Sequence, residues 1–134
     1  MRERSVEERR RAEALGLSAE TVAVWFLRLK GHAILDRRFR SHRGEIDIVA
    51  RRGRTLVFVE VKARATAEAA LDAVTPRSRA RILAAADLWV ARRPRYADFD
   101  RRFDVVLVMP RRLPRHLRDA FRGDDPDLPT HRRS

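Results

Sequence analysis

The stretch G-E-I-D-I-V-A-R-R-G-R-T-L-V-F-V-E-V-K-A-R, residues 44–64, decides the fold. Its second half, Thr55–Lys62, is a β-rich run. Its first half alternates over Glu45–Ala50, with Ile46 and Ile48 on one side and Glu45, Asp47 and Val49 on the other. Arg51–Arg54 contains Gly53 and reads as a turn, so the two strands form an antiparallel hairpin. A two-residue loop at Gly53-Arg54 suits a type II′ turn, which wants glycine first. That loop sets Arg52 against Thr55, Ala50 against Val57 and Asp47 against Glu60. Opposed residues share a face with Cβ atoms roughly 4.5–5.5 Å apart. Glu60 and Lys62, two apart on one strand, share that face too.

The register therefore predicts a cluster of Asp47, Glu60 and Lys62. Two opposed carboxylates repel, and burial raises the pKa of one of them. A divalent cation relieves the repulsion, and carboxylate oxygens suit Mg²⁺ or Mn²⁺. A lysine beside them can orient water or meet a phosphoryl oxygen, which completes the parts of metal-assisted phosphodiester hydrolysis. A Glu-x-Lys strand alone is also compatible with a plain surface salt-bridge cluster.

Outward from the hairpin, residues 18–30 read as a helix, with Val22, Trp25, Phe26 and Leu29 at helical spacing and Gly31 as its stop. Ser5 and Glu8 have capping-box spacing, so the charged segment 1–16 is either a helix start or a frayed basic arm. Ala33–Phe39 fits a short strand. Residues 63–76 are weakly patterned. Residues 77–92 read as a long helix with a buried stripe of Ile82, Ala85, Ala86, Trp89 and Val90, closed by Pro94. Phe103–Met109 reads as a strand buried on both faces, and Pro114–Phe121 as a short helix. The expected architecture is α/β, a mixed central sheet flanked by helices. One domain spans residues 1–121, followed by a polar tail at 122–134 expected to be disordered.

Composition points to the partner. Lys+Arg number 31 against 19 Asp+Glu, for a net charge of +12, and only Lys30 and Lys62 are lysine. Guanidinium groups pair with phosphate in a fork, so nucleic acid is the expected partner. With no cysteine, disulfides and Cys-ligated zinc are excluded. No secretory leader or membrane-length apolar run is evident, so a cytoplasmic protein without membrane contact is expected. His32, His42, His116 and His131 lack ligand spacing and are read as non-ligands.

G-L-S-A-E at 16–20, G-H-A-I-L at 31–35, G-E-I-D at 44–47, V-E-V-K at 59–62 and R-F-D-V-V at 102–106 together resemble the YraN family of small bacterial proteins. The resemblance covers the chain from Arg11 to Phe121, and the family is similar in pattern to PD-(D/E)xK nucleases and archaeal Holliday-junction resolvases. It implies a restriction-endonuclease-like core. It implies Asp47 and Glu60 as metal-binding acids, Lys62 as the catalytic lysine and Glu20 as the helical glutamate that completes the metal site. Many members carry a lysine near the start of the second helix, where this chain has Ser78; Arg77, Arg79 or Arg81 would supply the charge. Arg43 and Arg64 are further candidate phosphate contacts, Glu45 either an outer-sphere acid or part of the turn into the strand, and Asp104 an anchor for a neighbouring arginine.

The expected function is a metal-dependent endonuclease on DNA, structure-selective by analogy with the resolvases, and a homodimer on the same analogy. The alternative is a catalytically inactive nucleic-acid-binding protein that keeps the fold.

Overall fold

The computed structural model describes residues 19–121. Helix α1 occupies residues 19–29, followed by strands β1 (Ala33–Ser41), β2 (Gly44–Arg52) and β3 (Thr55–Ala63). Two helices, α2 (Ala67–Asp72) and α3 (Pro76–Ala91), and a 3₁₀ turn at Pro94–Tyr96 lead to β4 (Asp100–Val108) and β5 (Arg115–Phe121). The sheet order is β1-β2-β3-β4-β5. Only β3 and β4 run parallel; the other pairs are antiparallel. This is the expected mixed sheet flanked by helices.

Side-chain alternation makes two cores, one on each face of the sheet. Val57 and Val59 of β3 and Val106 and Val108 of β4 pack with Ala19, Ala23, Val24 and Leu27 of α1. Leu56, Phe58, Val105 and Leu107 pack with Ala85, Ala86 and Trp89 of α3. The central strands are thus apolar on both faces, as the uninterrupted runs VVLV and LVFV require.

Several expectations change. The buried stripe of α1 is Ala19, Ala23, Val24 and Leu27; of the expected set Phe26 packs partly against that core, whereas Val22, Trp25 and Leu29 are exposed. Small residues let the helix lie close on a valine-rich sheet, and Trp25 instead carries the Arg28 guanidinium over its ring. Pro114–Phe121 is not a helix but the edge of the sheet, β5, paired through Val105↔Leu117 and Phe103↔Phe121. Leu117 and Phe121, four apart, fit one face of a helix or of a strand equally. The weakly patterned linker contains α2, capped by Thr66 Oγ1 on the Ala69 amide. The anticipated stripe of α3 is buried as read. The Ser5–Glu8 capping box and the tail at 122–134 lie outside the described residues. Among the described residues no helix is long and apolar enough to cross a membrane.

Candidate active site

The hairpin register is the one expected: Arg52↔Thr55, Ala50↔Val57 and Ile48↔Val59. Gly53 adopts φ +60° in the turn, with no positive φ at Arg54, which fits glycine at the first position of a type II′ turn. The ladder stops after Ile48↔Val59, one rung before Asp47 would meet Glu60. There the Asp47 side chain takes over from its backbone, and the Val61 N–H donates to Asp47 Oδ2 at 2.7 Å.

The parity of β2 also reverses at Asp47. Ile48 belongs to the α1-side core and Ile46 to the α3-side core, not to one side as the simple alternation had it. β1 reverses at the same rung. Its partners run Arg37↔Ile48 and Phe39↔Ile46, so Arg38 stands across from Asp47. Arg38 has φ +53°, a left-handed conformation uncommon for a residue with a side chain. Arg38, Asp47 and Glu60 therefore fall on one line across three strands, at an irregularity that period-2 reading does not reveal.

The three principal candidates come together. Lys62 Nζ is 3.1 Å from Glu60 Oε1, and both side chains are mostly buried. Asp47 is pushed up to about 7, first by burial and then by the Glu60 charge; the Val61 amide and Lys62 oppose the rise, and Glu20 adds to it. A partly buried carboxylate pair with a neighbouring ammonium is an electrostatic arrangement that a divalent cation would stabilise. The donor set fits such an ion in chemistry, hard oxygens without competing soft ligands.

Glu20, which the resemblance implies as the third acid, meets two arginines. Its buried carboxylate receives Arg37 Nε on Oε1 at 3.1 Å and Arg38 Nε on Oε2 at 2.9 Å. Both oxygens are committed to arginine. Among the described residues no three His, Cys, Asp or Glu side chains are grouped to hold a metal. Asp47 and Glu60 are the carboxylate pair, and Glu20 stands beside them as a counter-ion.

The candidate phosphate contacts are dispersed. Arg43, in the β1–β2 turn, is exposed; Arg64, just past β3, is exposed and donates to the Ala63 carbonyl at 2.7 Å. Arg77 and Arg81 are exposed on α3, while Arg79 lies partly buried with its guanidinium 5.8 Å from the Phe121 ring. Ser78 has a structural role: with Thr75 it forms a reciprocal capping box at the start of α3. Ser41 likewise holds its own turn, donating to the Gly44 carbonyl and accepting the Arg43 and Gly44 amides. Glu45 pairs loosely with Arg40 at 3.7 Å.

Asp104 anchors Arg102, as read from the sequence, in a two-bond fork with both contacts at 2.9 Å. It also takes His116 Nε2–H at 2.7 Å and the Asp119 amide at 2.9 Å. Burial alone would raise its pKa; these donors and the Arg102 charge overcome that and hold it down to about 2. Residues missed by sequence reasoning are Arg37, Arg38 and His116. For the arginines the one available signal was the run Arg37-Arg38 itself.

Comparison with known proteins places this geometry in a family. The model of the uncharacterised protein family UPF0102 matches residues 19–108, from α1 to the end of β4. A UPF0102 protein of Parvibaculum lavamentivorans is 55% identical over 111 residues, 83% of this chain and 84% of that one. One from Rhodopseudomonas palustris is 56% identical over 106 residues, 79% of this chain and 83% of the relative. One from Rhizobium leguminosarum is 55% identical over 113 residues, 84% and 93% of the two chains. The chain belongs to the UPF0102 family.

Proposed function

We propose that this protein is a metal-dependent endonuclease of the PD-(D/E)xK type that hydrolyses phosphodiester bonds in DNA, with Asp47 and Glu60 as metal-binding acids and Lys62 as the catalytic cation. The observation that carries the reading is the interrupted β2–β3 ladder. It leaves Asp47 and Glu60 partly buried and electrostatically coupled, with Lys62 on Glu60 at 3.1 Å. A fold gains nothing in stability from such a pair, and sites that cost stability are where function is expected.

Asp47 and Glu60 would hold Mg²⁺ or Mn²⁺, which when bound supplies Lewis acidity at the phosphoryl group. The chain's own groups do the rest. The Val61 N–H fixes Oδ2 of Asp47. Lys62 fixes Glu60 and places an ammonium where negative charge develops on the phosphate. The net charge of +12 concentrates the polyanion by long-range attraction.

The test is cleavage of linear, forked and four-way DNA with Mg²⁺ or Mn²⁺. Wild type cuts at least one substrate; Asp47→Ala and Glu60→Ala do not and bind the metal more weakly; Lys62→Ala binds DNA and does not cut. A second reading, a nucleic-acid-binding protein without turnover, is favoured by Glu20 being committed to two arginines. Wild type that binds DNA but cuts no substrate with either metal decides for it.

A further inference from the structure

Alternation along a strand should send Arg37 and Arg38 to opposite faces of the sheet. They do not diverge. The φ of +53° at Arg38 turns its side chain so that both guanidiniums meet the one carboxylate of Glu20. A left-handed arginine is locally unfavourable, and it is kept at the rung where Arg38 stands across from Asp47. The arrangement is also poorly matched as a salt bridge. Each arginine gives Glu20 only its Nε, so neither forms the two-bond fork that guanidinium prefers with carboxylate. Arg37 Nη2 has a 3.5 Å contact with Thr21 Oγ1. Glu20 is 9% exposed at its side chain, whereas each arginine is 45% exposed. Two cations against one anion leave a surplus positive charge, presented to solvent beside the carboxylate pair.

Resting on the nuclease reading, we infer that Arg37 and Arg38 form a clamp for a backbone phosphate of the nucleic acid, and that Glu20 is the internal anion holding the clamp assembled until that phosphate arrives. A phosphodiester can offer oxygens to the outward-facing edges of both guanidiniums at once, a geometry the buried Glu20 carboxylate does not satisfy. The clamp sits one strand from Asp47, so a phosphate held there would be a near neighbour of the one at the acids. Glu20 is a positioning residue here. It keeps both guanidiniums on its one carboxylate until a phosphate displaces it.

The two roles for Glu20 make opposite predictions in the absence of metal. As an internal counter-anion, Glu20 competes with DNA; as a metal ligand, it does not. Binding of a fluorescent duplex is measured by anisotropy in EDTA at several salt concentrations. Glu20→Gln binds about threefold to tenfold more tightly than wild type, with a steeper salt dependence. Asp98→Asn makes the same charge change at an exposed site away from the clamp and moves affinity by less than about twofold. The double variant Arg37→Ala/Arg38→Ala weakens binding about tenfold or more, against a smaller loss for the exposed pair Arg40→Ala/Arg95→Ala. Circular dichroism confirms folding of each variant, and the arginine double variant carries the test alone should Glu20→Gln not fold. Equal effects of Glu20→Gln and Asp98→Asn, or of the two arginine pairs, overturn the clamp and leave the nuclease proposal standing. Wild type that binds no duplex, forked or four-way DNA overturns both.

Discussion

Asp47 and Val61 are joined by a side chain where two strands would ordinarily be joined by backbone. The Val61 N–H reaches Asp47 Oδ2 at 2.7 Å, one rung beyond the last ladder pair, Ile48↔Val59. This bond satisfies an amide that the splayed strand can no longer serve. It also keeps the Asp47 carboxylate at the opening between β2 and β3, close to Glu60, against the repulsion that would push it away.

The cost of that placement should be visible in stability. Asp47 is held at about 7 in the fold, against an ordinary 3.8. A carboxyl whose folded pKa is raised binds its proton more tightly in the native state. Stability attributable to it is therefore full below pH 3.8, falls as pH rises towards 7, and stays low above that. Asp47→Asn removes the charge and keeps an acceptor for Val61. The variant should match wild type within about 0.5 kcal/mol at pH 4 and exceed it by on the order of 1–3 kcal/mol at pH 8. Urea unfolding at the two pH values measures both; a variant less stable than wild type at pH 8 rules the strain out.

The same titration governs the proposed metal. A proton on Asp47 competes with a divalent ion, so Mn²⁺ affinity should rise with pH up to about 7 and level off above it. Calorimetric titration of wild type and Glu60→Gln checks it. The variant should bind at least tenfold more weakly, since one carboxylate seldom holds a hard cation alone. Affinity that does not change with pH would show that Asp47 is no ligand.

Much of this site was legible in the sequence, and the limits are instructive. Gly53 and the alternating apolar residues gave the hairpin and its register, and parity put Glu60 beside Lys62. Local spacing contains no sign that β1 and β2 both reverse face at Arg38 and Asp47, because that depends on neighbouring strands. The misread stripe of α1 has the same origin. Val22, Trp25 and Leu29 form a good amphipathic pattern, but close packing on a valine-rich sheet favoured the face bearing Ala19 and Ala23. The stripe of α3 was read correctly because Ile82, Trp89 and Val90 are large and the opposite face is rich in arginine. Glu20 was found by resemblance, but its partners lie on another element, Arg37 and Arg38.

Two glycines of the hairpin region should respond differently to alanine. At Gly44 a Cβ would run into the Arg81 backbone carbonyl of α3, where neither partner can swing away. Gly44→Ala should lose about 3 kcal/mol or more, or fail to accumulate as folded protein. At Gly53 a Cβ meets nothing within 4 Å, and only the φ of +60° opposes it. Gly53→Ala should cost roughly 1–2 kcal/mol. Denaturant midpoints of the two variants check the order, and equal losses would contradict the close approach of β2 to α3.

Asp104 provides the contrasting carboxylate, one whose burial is fully compensated. Arg102, His116 and the Asp119 amide all donate to it, and Lys30 Nζ lies 2.6 Å from His116 Nδ1. His116 bridges the two, with Nε2 on Asp104 and Nδ1 on Lys30. Asp104→Asn removes the fully buried negative charge that Arg102 forks onto and leaves that guanidinium largely enclosed. It should cost about 3–5 kcal/mol at pH 7. The pH dependence runs opposite to that of Asp47. With a folded pKa of about 2 against an ordinary 3.8, the Asp104 contribution is complete above 3.8 and lost as pH falls through 2. The gap between wild type and Asp104→Asn should therefore narrow between pH 4 and pH 2 while it stays constant from pH 5 to 8. Unfolding curves across that range measure it, and a gap that widens in acid would mean Asp104 is protonated in the native network.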